Sequence, residues 1–244
     1  TLSVYLILCN TQHISKKYSK RLVVDNLSIS IEEGQIVGLL GPNGAGKTTF
    51  FYIIAGILNS DSGKVFINEK EITNQKVSQR ALRGIAYLPQ EPSIFRGLTV
   101  KENLMAALEQ RNDLQSPERI KELMHLIEEF HLKPFLDTKA VKLSGGERRK
   151  VEIARALASK PAFLLLDEPF AGIDPIAVSE LKETLYRLKE RGIGVLISDH
   201  NVREAMNICD KVLIMNQGKN IAEGLPKDIK ENNLVKEVYL GKDY

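Results

Sequence analysis

The sequence lacks the features that mark membrane-spanning and disulfide-stabilised chains. Its longest apolar runs, Val4 to Cys9 and Ala162 to Leu166, are far shorter than the roughly 20 residues that a transmembrane helix needs. Its two cysteines, Cys9 and Cys209, are too far apart in sequence for a disulfide framework or a metal-binding spacing. This cysteine use is typical of a reduced cytosolic compartment. Thr1 to Asn10 has no signal-peptide pattern, so we expect a first strand there.

A strong excess of one charge is also missing. Lysine and arginine total 34 and aspartate and glutamate 31, which leaves a net charge of +3. This balance gives no argument for a nucleic-acid partner or an acidic surface as partner. With 43% hydrophobic residues the chain is not of the disordered class, and 244 residues suit one large domain or a domain with a small subdomain.

Short β-branched runs alternate with segments of helical periodicity, as in a βαβ-built sheet with helices on both faces. The predicted strands are Leu27–Ile31, Gln35–Leu40, Val65–Ile67, Ile85–Leu88, Phe163–Leu166, Ile193–Ile197, Val212–Met215 and Asn220–Glu223. From Thr99 to Phe130 the period is helical, with Ser116 and Pro117 as N-cap and first helical residue. The apolar residues that recur at helical spacings of three and four in this segment are Ile120, Leu123, Ile127 and Phe130.

A glycine-rich loop follows the predicted strand that ends at Leu40. Its sequence, GPNGAGKT, fits the phosphate-loop pattern G-x-x-x-x-G-K-[ST] and precedes a helical pattern over Thr49 to Leu58. Backbone N–H groups and the helix N-terminus attract a polyphosphate, Lys47 neutralises its charge, and the Thr48 hydroxyl can bind Mg²⁺. The predicted nucleotide-binding residues are Gly41, Pro42, Asn43, Gly44, Ala45, Gly46, Lys47, Thr48 and Thr49.

A second element delivers two carboxylates to the end of a buried strand. The run Phe163 to Glu168 reads FLLLDE, and ligands bind at the carboxyl ends of strands in open α/β sheets. Alone, such a run is more typical of a strand that enters a solvated turn. Together with the phosphate loop it predicts that Asp167 holds Mg²⁺ through water and that Glu168 polarises the water that attacks the γ-phosphate.

The string Leu143 to Glu147, LSGGE, leads into a helical pattern and resembles the signature of the ATP-binding cassette superfamily. A serine hydroxyl and glycine amides at a helix N-terminus form an anion site. The alternative is an N-capped helix after a glycine turn. The resemblance implies that Ser144, Gly145 and Gly146 bind the nucleotide of a second cassette.

The same resemblance implies roles for four further residues. Tyr18 would stack on adenine, although a surface tyrosine between lysines is the alternative, and Gln90 would sense Mg²⁺ and the attacking water. Asp174 lies in the loop that crosses the dimer interface, and His200 would contact the γ-phosphate as the switch histidine. The three other histidines, His13, His125 and His131, match no position of the family pattern.

The fold implied is α/β: a RecA-like mixed sheet core of the phosphate-loop NTPases, flanked by helices, with an antiparallel N-terminal β part and a helical insertion. We expect the core in residues 1–90 and 146–244 and the helical subdomain in 91–145. The resemblance also implies that two such chains pair head to tail and bind two ATP molecules with Mg²⁺.

Longer strings resemble one branch of the family, the ATPase subunits of bacterial lipopolysaccharide exporters. These strings are Tyr87–Val100, Leu143–Leu157, Glu168–Val178, Arg191–Glu204 and Val235–Gly241. Lys150 and Ser198 replace the commoner Arg and Thr of that branch, and the first ten residues are longer and more apolar than expected. The resemblance implies a homodimer on the cytoplasmic face of the inner membrane, attached only through two transmembrane permease subunits. A heterodimer with a similar subunit is the alternative.

Phe95 and Arg96 would contact those subunits, and the alternative for Phe95 is packing inside the helical subdomain. Two other functions compete with lipopolysaccharide export. One is the ATPase of a branched-chain amino acid importer. The other is a cassette that acts on nucleic acid or the ribosome, which would need a long coiled-coil insertion or a second cassette.

Overall fold

A computed structural model describes residues 8–200 and 202–240 of the chain. Of the strand expected at Thr1 to Asn10, only 8–10 belong to the described residues, and 1–7 lie outside them. Asn201 and Gly241, which belong to the strings compared above, also lie outside.

Ten strands and nine helices follow one another in the described residues. The strands are β1 (Leu8–Tyr18), β2 (Arg21–Glu32), β3 (Ile36–Leu40), β4 (Ser62–Ile67), β5 (Lys70–Glu71), β6 (Ile85–Leu88), β7 (Phe163–Asp167), β8 (Gly194–Asp199), β9 (Lys211–Asn216) and β10 (Lys219–Gly224). The helices are α1 (Lys47–Ala55), α2 (Val77–Ala81), α3 (Val100–Glu109), α4 (Ser116–Glu129), α5 (Gly145–Leu157), α6 (Pro175–Glu190), α7 (Val202–Met206), α8 (Pro226–Glu231) and α9 (Asn233–Val235), which runs into a π-helical turn at Lys236–Leu240.

The central sheet has six strands in the order β10-β9-β3-β8-β7-β6, and only the β9–β10 pair is antiparallel. Every residue of β3, β7 and β8 is buried, as expected of parallel strands covered on both faces. A second, antiparallel sheet has the order β2-β1-β4-β5. The predicted fold, a mixed sheet core with an antiparallel N-terminal β part, is confirmed.

Two hydrophobic clusters cover the two faces of the central sheet. Leu40, Leu164 and Val195 face one cluster, to which α3 to α6 contribute. Their strand neighbours Leu39 and Leu165 face the other, which contains α1 and the antiparallel sheet. Since successive strand residues point to opposite faces, alternate residues of each strand serve the two cores. The central sheet is therefore the middle layer of the fold.

Two details of the helical segment differ from the prediction. The segment is divided into α3 and α4, and α4 begins at Ser116 with Gln115 as its N-cap. The Gln115 N–H donates to Glu118 Oε2 at 2.8 Å, and Glu118 is the third helical residue only in this register. The assignment of Ser116 as the N-cap was therefore wrong by one residue.

Of the four apolar residues at helical spacing in this segment, three are buried and one is exposed. Leu123, Ile127 and Phe130 are buried, whereas Ile120 is 56% exposed. The seven-residue spacing places Ile120 on the same face as Ile127 but two turns closer to the start of the helix. The hydrophobic core reaches α4 only from Leu123 onward, so Ile120 has no core to pack against.

Within residues 8–200 and 202–240, every helix is too short or too polar to span a bilayer.

The end of α1 is fixed by a buried arginine on α2. Arg80 is 1% exposed, and its guanidinium donates to the carbonyls of Ile53 and Ile54, both at 2.6 Å. It also donates to the carbonyls of Thr73 at 2.6 Å and Gln75 at 2.9 Å. Burial lowers the pKa of Arg80 to about 10, so the side chain stays charged at neutral pH. Its positive charge lies at the negative, C-terminal end of the α1 dipole, where it is favourable.

We expect Arg80→Ala to lower the free energy of unfolding by about 3 kcal/mol, because it leaves buried helix-end carbonyls without a donor. Urea unfolding followed by circular dichroism measures the change. Arg96→Ala is the matched control, since the Arg96 side chain is exposed and its loss is expected to change stability by less than about 0.5 kcal/mol. Equal effects of the two substitutions would contradict this role for Arg80.

Candidate functional site

The predicted site residues gather at one edge of the central sheet. Leu40, which precedes the glycine-rich loop, pairs with Asp199 of β8, and Asp167 of β7 pairs with Ser198. The carboxyl ends of β3, β7 and β8 therefore lie side by side. The loop that starts at Gly41 and the residues that follow β7 and β8 meet there, as ligand sites do in parallel sheets.

At two positions of the glycine-rich loop, the backbone conformation and the close neighbours admit only glycine. Gly41 and Gly46 have φ values of 153° and 109°. A Cβ on Gly41 would lie 2.0 Å from the Met215 carbonyl oxygen, and one on Gly46 would lie 2.2 Å from that of Val23. Helix α1 begins directly after Gly46, so its N-terminal N–H groups face the loop. The loop thus has the close backbone packing that a phosphate cradle requires.

Lys47, the first residue of α1, is 5% exposed and folds back over the loop. Its Nζ donates to the carbonyls of Gly41 at 2.7 Å and Pro42 at 3.0 Å. Burial lowers the pKa of Lys47, and the nearby carboxylates of Glu168 and Asp167 oppose that shift. The ammonium group therefore lies between the loop and the acidic pair.

Asp167 is buried at the end of β7, with hydroxyl groups from both flanking strands on its carboxylate. The Ser198 hydroxyl donates to Oδ1, and the Tyr87 hydroxyl donates to Oδ2 at 3.4 Å. Sequence reasoning missed both contacts. The available signal was Ser198 itself, a polar residue directly after the apolar run Val195, Leu196 and Ile197.

Glu168 joins two other predicted residues. Its Oε2 accepts from Gln90 Nε2 at 2.8 Å and lies 3.2 Å from His200 Nδ1. The Glu168 side chain is 12% exposed, whereas that of His200 is 48% exposed. The Tyr239 hydroxyl of the C-terminal turn donates to the His200 carbonyl at 3.4 Å. Glu168 therefore contacts both of the other residues that were predicted to be catalytic.

The residues predicted to hold Mg²⁺ carry suitable ligand atoms. Thr48 has an exposed hydroxyl on the first turn of α1, and Gln90 retains its amide oxygen because its nitrogen donates to Glu168. Asp167 has both carboxylate oxygens in hydrogen bonds, which suits binding through water. Hydroxyl, amide and carboxylate oxygens are hard ligands of the kind that Mg²⁺ prefers, so the donor set fits.

The signature serine caps its own helix. Ser144 Oγ accepts from the Glu147 N–H at 3.3 Å, and the Ser144 N–H donates to Glu147 Oε2 at 2.8 Å. Gly146 lets α5 approach α6, because a Cβ there would lie 2.6 Å from Ala177 Cβ. In residues 8–200 and 202–240 no hydrogen bond joins Ser144 to the phosphate loop. Ser144 and Gly145 are instead exposed.

Asp174, in the loop before α6, also caps a helix. Its Oδ1 accepts from the N–H groups of Ile176 and Ala177, both at 3.0 Å. Pro175 follows as the first helical residue. Gly146 packs against this same first turn of α6, so the signature and the Asp174 loop form one continuous surface.

Tyr18 lies at the end of β1 and is 47% exposed, with Lys16 Nζ 6.0 Å from the centre of its ring. It pairs across the hairpin with Arg21, whose Nη2 donates to the Gly44 carbonyl at 3.2 Å. The hairpin is thereby tied to the glycine-rich loop. A cavity of about 380 Å³, lined by Arg21, Leu22, Val23, Gly44, Gln217 and Gly218, lies beside it. Sequence reasoning missed Arg21.

A groove of about 430 Å³ is lined by β6, α3, α5 and the segment after Gln90. Phe95 lines it and is 54% exposed, so the alternative in which Phe95 packs inside the subdomain is wrong. The Arg155 guanidinium lies 4.9 Å from the centre of the Phe95 ring and donates to the Ser93 carbonyl at 2.5 Å. Glu152 Oε1 accepts from the Ser93 N–H at 2.8 Å. These α5 contacts, which the sequence did not predict, hold Phe95 at the surface.

Comparisons with known proteins agree with this geometry. The sequence model of the ABC transporter family matches residues 24–171. The lipopolysaccharide export system ATP-binding protein LptB of Haemophilus influenzae is 51% identical over 97% of this chain and 98% of that protein. A crystal structure of an ATP-binding cassette of an ABC transporter in its ADP conformation superposes with a TM-score of 0.86, at 30% identity, over 97% of this chain and 99% of that one.

A dimeric cassette structure adds a comparison of assembly. It is described as a post-hydrolysis state bound to ADP and Pi, and it superposes with a TM-score of 0.79 at 26% identity. The superposition covers 89% of this chain and 98% of that one.

Proposed function

Since the chain belongs to the ABC transporter family, we propose that it is the ATP-hydrolysing subunit of a lipopolysaccharide exporter and that two copies close on two ATP molecules. As a member of that family it binds and hydrolyses ATP. The observation that carries the proposal is the contact of Glu168 with Gln90 and His200 beside the glycine-rich loop.

Each residue of this cluster has a task in phosphoryl transfer, which depends on positioning and charge neutralisation. Loop N–H groups and Lys47 bind the β- and γ-phosphates. Glu168 orients and polarises the attacking water, and Gln90 holds the Glu168 carboxylate in place. His200, half exposed, contacts the γ-phosphate. Thr48, Gln90 and Asp167 would hold Mg²⁺, which when bound neutralises charge on the transferred group.

The exposed signature supports a site shared between two copies. Ser144 and Gly145 present a hydroxyl and a helix N-terminus to the outside of the chain, where an anion is favoured. We propose that the signature and Asp174 of one copy close over the glycine-rich loop of the other, with Tyr18 stacked on the adenine. ATP then favours the closed pair and hydrolysis reopens it.

The groove beside Phe95 supports a membrane partner. An exposed aromatic ring stacked on an arginine is typical of an interface anchor. We propose that Phe95 and Arg96 contact two transmembrane permease subunits, which attach the chain to the cytoplasmic face of the bacterial inner membrane. The proposed cargo is lipopolysaccharide, because the relative that is 51% identical is a lipopolysaccharide export system ATP-binding protein.

Purification from the native membrane tests this assignment. A tagged chain is isolated in mild detergent, its spanning subunits are identified, and the complex is placed in vesicles that contain lipopolysaccharide. We expect ATP to drive extraction of lipopolysaccharide from the vesicles. Recovery of amino acid permease subunits, or ATP turnover without lipopolysaccharide extraction, would overturn the proposed cargo.

Phe95→Ala is expected to lose the spanning subunits in that purification and to keep the ATPase activity of the isolated chain. The reason is that Phe95 lines the groove and makes no contact with Glu168 or Lys47 within the described residues. Leu225→Ala, which truncates an exposed apolar side chain elsewhere, is the matched control. Retention of the partners by Phe95→Ala would contradict the proposed docking surface.

A further inference from the structure

Ser198 is a fully buried polar residue beside the acidic pair. It follows Leu196 and Ile197 on β8, and all three side chains are inaccessible to solvent. A buried hydroxyl is unfavourable unless it forms hydrogen bonds. The Ser198 hydroxyl forms two, donating to Asp167 Oδ1 and accepting from the Glu168 N–H at 3.2 Å.

Glu168 has an unusual backbone, which Ser198 stabilises. Its φ is 46°, in the left-handed region that a residue with a Cβ rarely adopts. Such a conformation persists where the surroundings fix it. The Glu168 N–H donates to the Ser198 carbonyl at 2.9 Å as well as to its hydroxyl. This turn directs the Glu168 carboxylate toward Gln90 and His200.

Tyr87 approaches Asp167 from β6, which flanks β7 on the side away from Ser198 and β8. Its hydroxyl donates to Oδ2 at 3.4 Å, and its ring packs edge-on against Tyr52 with 5.9 Å between the ring centres. The Asp167 carboxylate is therefore held from β6 and from β8.

We infer that Ser198 is a positioning residue of the ATPase, whose hydroxyl sets the Asp167 carboxylate toward a metal-bound nucleotide and fixes the turn at Glu168. Tyr87 is the weaker second support of the same carboxylate. This inference rests on the proposed roles of Asp167 and Glu168. It assigns the function to the hydroxyl, so threonine, which carries the same group and suits a strand, fulfils it.

The test compares ATP binding with and without metal in Ser198→Ala, Ser198→Thr and the wild-type protein, measured by titration calorimetry in Mg²⁺ and in EDTA. In the alanine variant, we expect the gain in ATP affinity that Mg²⁺ provides to fall roughly 10-fold or more, as when an outer-shell ligand support is lost. ATP affinity in EDTA is expected to stay unchanged, because Lys47 and the loop are intact. We expect kcat to fall and the threonine variant to restore both quantities.

Ser159→Ala, which removes an exposed hydroxyl that donates to the Ala156 carbonyl, is the matched control. A full metal-dependent gain in Ser198→Ala, or a threonine variant as impaired as the alanine variant, would overturn the inference. If circular dichroism shows that the alanine variant does not fold, Tyr87→Phe is tested instead. We expect this variant to lose a smaller part of the gain in ATP affinity that Mg²⁺ provides. A full gain in Tyr87→Phe would then contradict the inference. A wild-type protein that gains nothing from Mg²⁺ would instead overturn the proposed metal site.

Discussion

Glu168→Gln is expected to bind ATP as the wild-type protein does and to hydrolyse it roughly 100- to 10,000-fold more slowly, the usual contribution of a general base. Glutamine has nearly the same shape and keeps an oxygen that can accept from Gln90, but it cannot take a proton from water. Because ATP is retained, the closed pair accumulates. Size-exclusion chromatography with ATP is expected to show a stable dimer only for this variant.

Glu190→Gln makes the same chemical change at an exposed position at the end of α6 and serves as the control. This control variant is expected to hydrolyse ATP at the wild-type rate and to show no stable dimer in size-exclusion chromatography with ATP. Wild-type hydrolysis by Glu168→Gln would rule out Glu168 as the base and leave its contact with His200 without a catalytic explanation.

Lys47→Ala is expected to weaken ATP binding about 100-fold, since it removes a charge-assisted contact to the phosphates. The Lys47 ammonium is buried between the glycine-rich loop and the acidic pair, where its attraction to phosphate is little screened by water. Fluorescence titration with a labelled ATP analogue measures the loss. Lys227→Ala, at an exposed lysine of α8, is expected to bind normally. Normal binding by Lys47→Ala would place the nucleotide elsewhere.

The sequence was sufficient to predict the phosphate loop and the acidic pair, because each lies in a short local string after a run of apolar residues. The parallel pairing of β3, β7 and β8 then brings these strings to one edge. That pairing follows from strands buried on both faces, a pattern visible in the composition of the runs.

Contacts that depend on the exact register between distant segments were not predictable. Ser198 and Asp167 are 31 residues apart, and Arg80 and Ile53 are 27 residues apart. No local pattern specifies that a given serine or arginine reaches a given carboxylate or carbonyl. The exposure of Ile120 was not predictable for the same reason, because helical spacing defines a face of α4 but not where the neighbouring core ends.

The signature shows how one residue can satisfy two interpretations. Within the chain Ser144 is an N-cap, which was the alternative to an anion site. The exposed hydroxyl and amides of that same cap are what a second copy would present to its partner's nucleotide. The two interpretations therefore differ only in whether two chains share a site.

Mixing two inactive variants tests the shared site most directly. Lys47→Ala disables the glycine-rich loop and Ser144→Arg disables the signature, so each variant alone is expected to lack ATPase activity. In a mixed pair, the intact loop of one copy faces the intact signature of the other. Half of the pairs in an equimolar mixture are mixed and each has one intact site, so we predict activity of roughly one quarter of the wild-type level.

Lys47→Ala mixed with the Lys47→Ala, Ser144→Arg double variant provides the control and is expected to stay inactive, since every loop in that mixture is disabled. Recovery of activity only in the first mixture is the result that the shared site predicts. If the first mixture is as inactive as the two variants alone, the signature does not act on the nucleotide of a second copy.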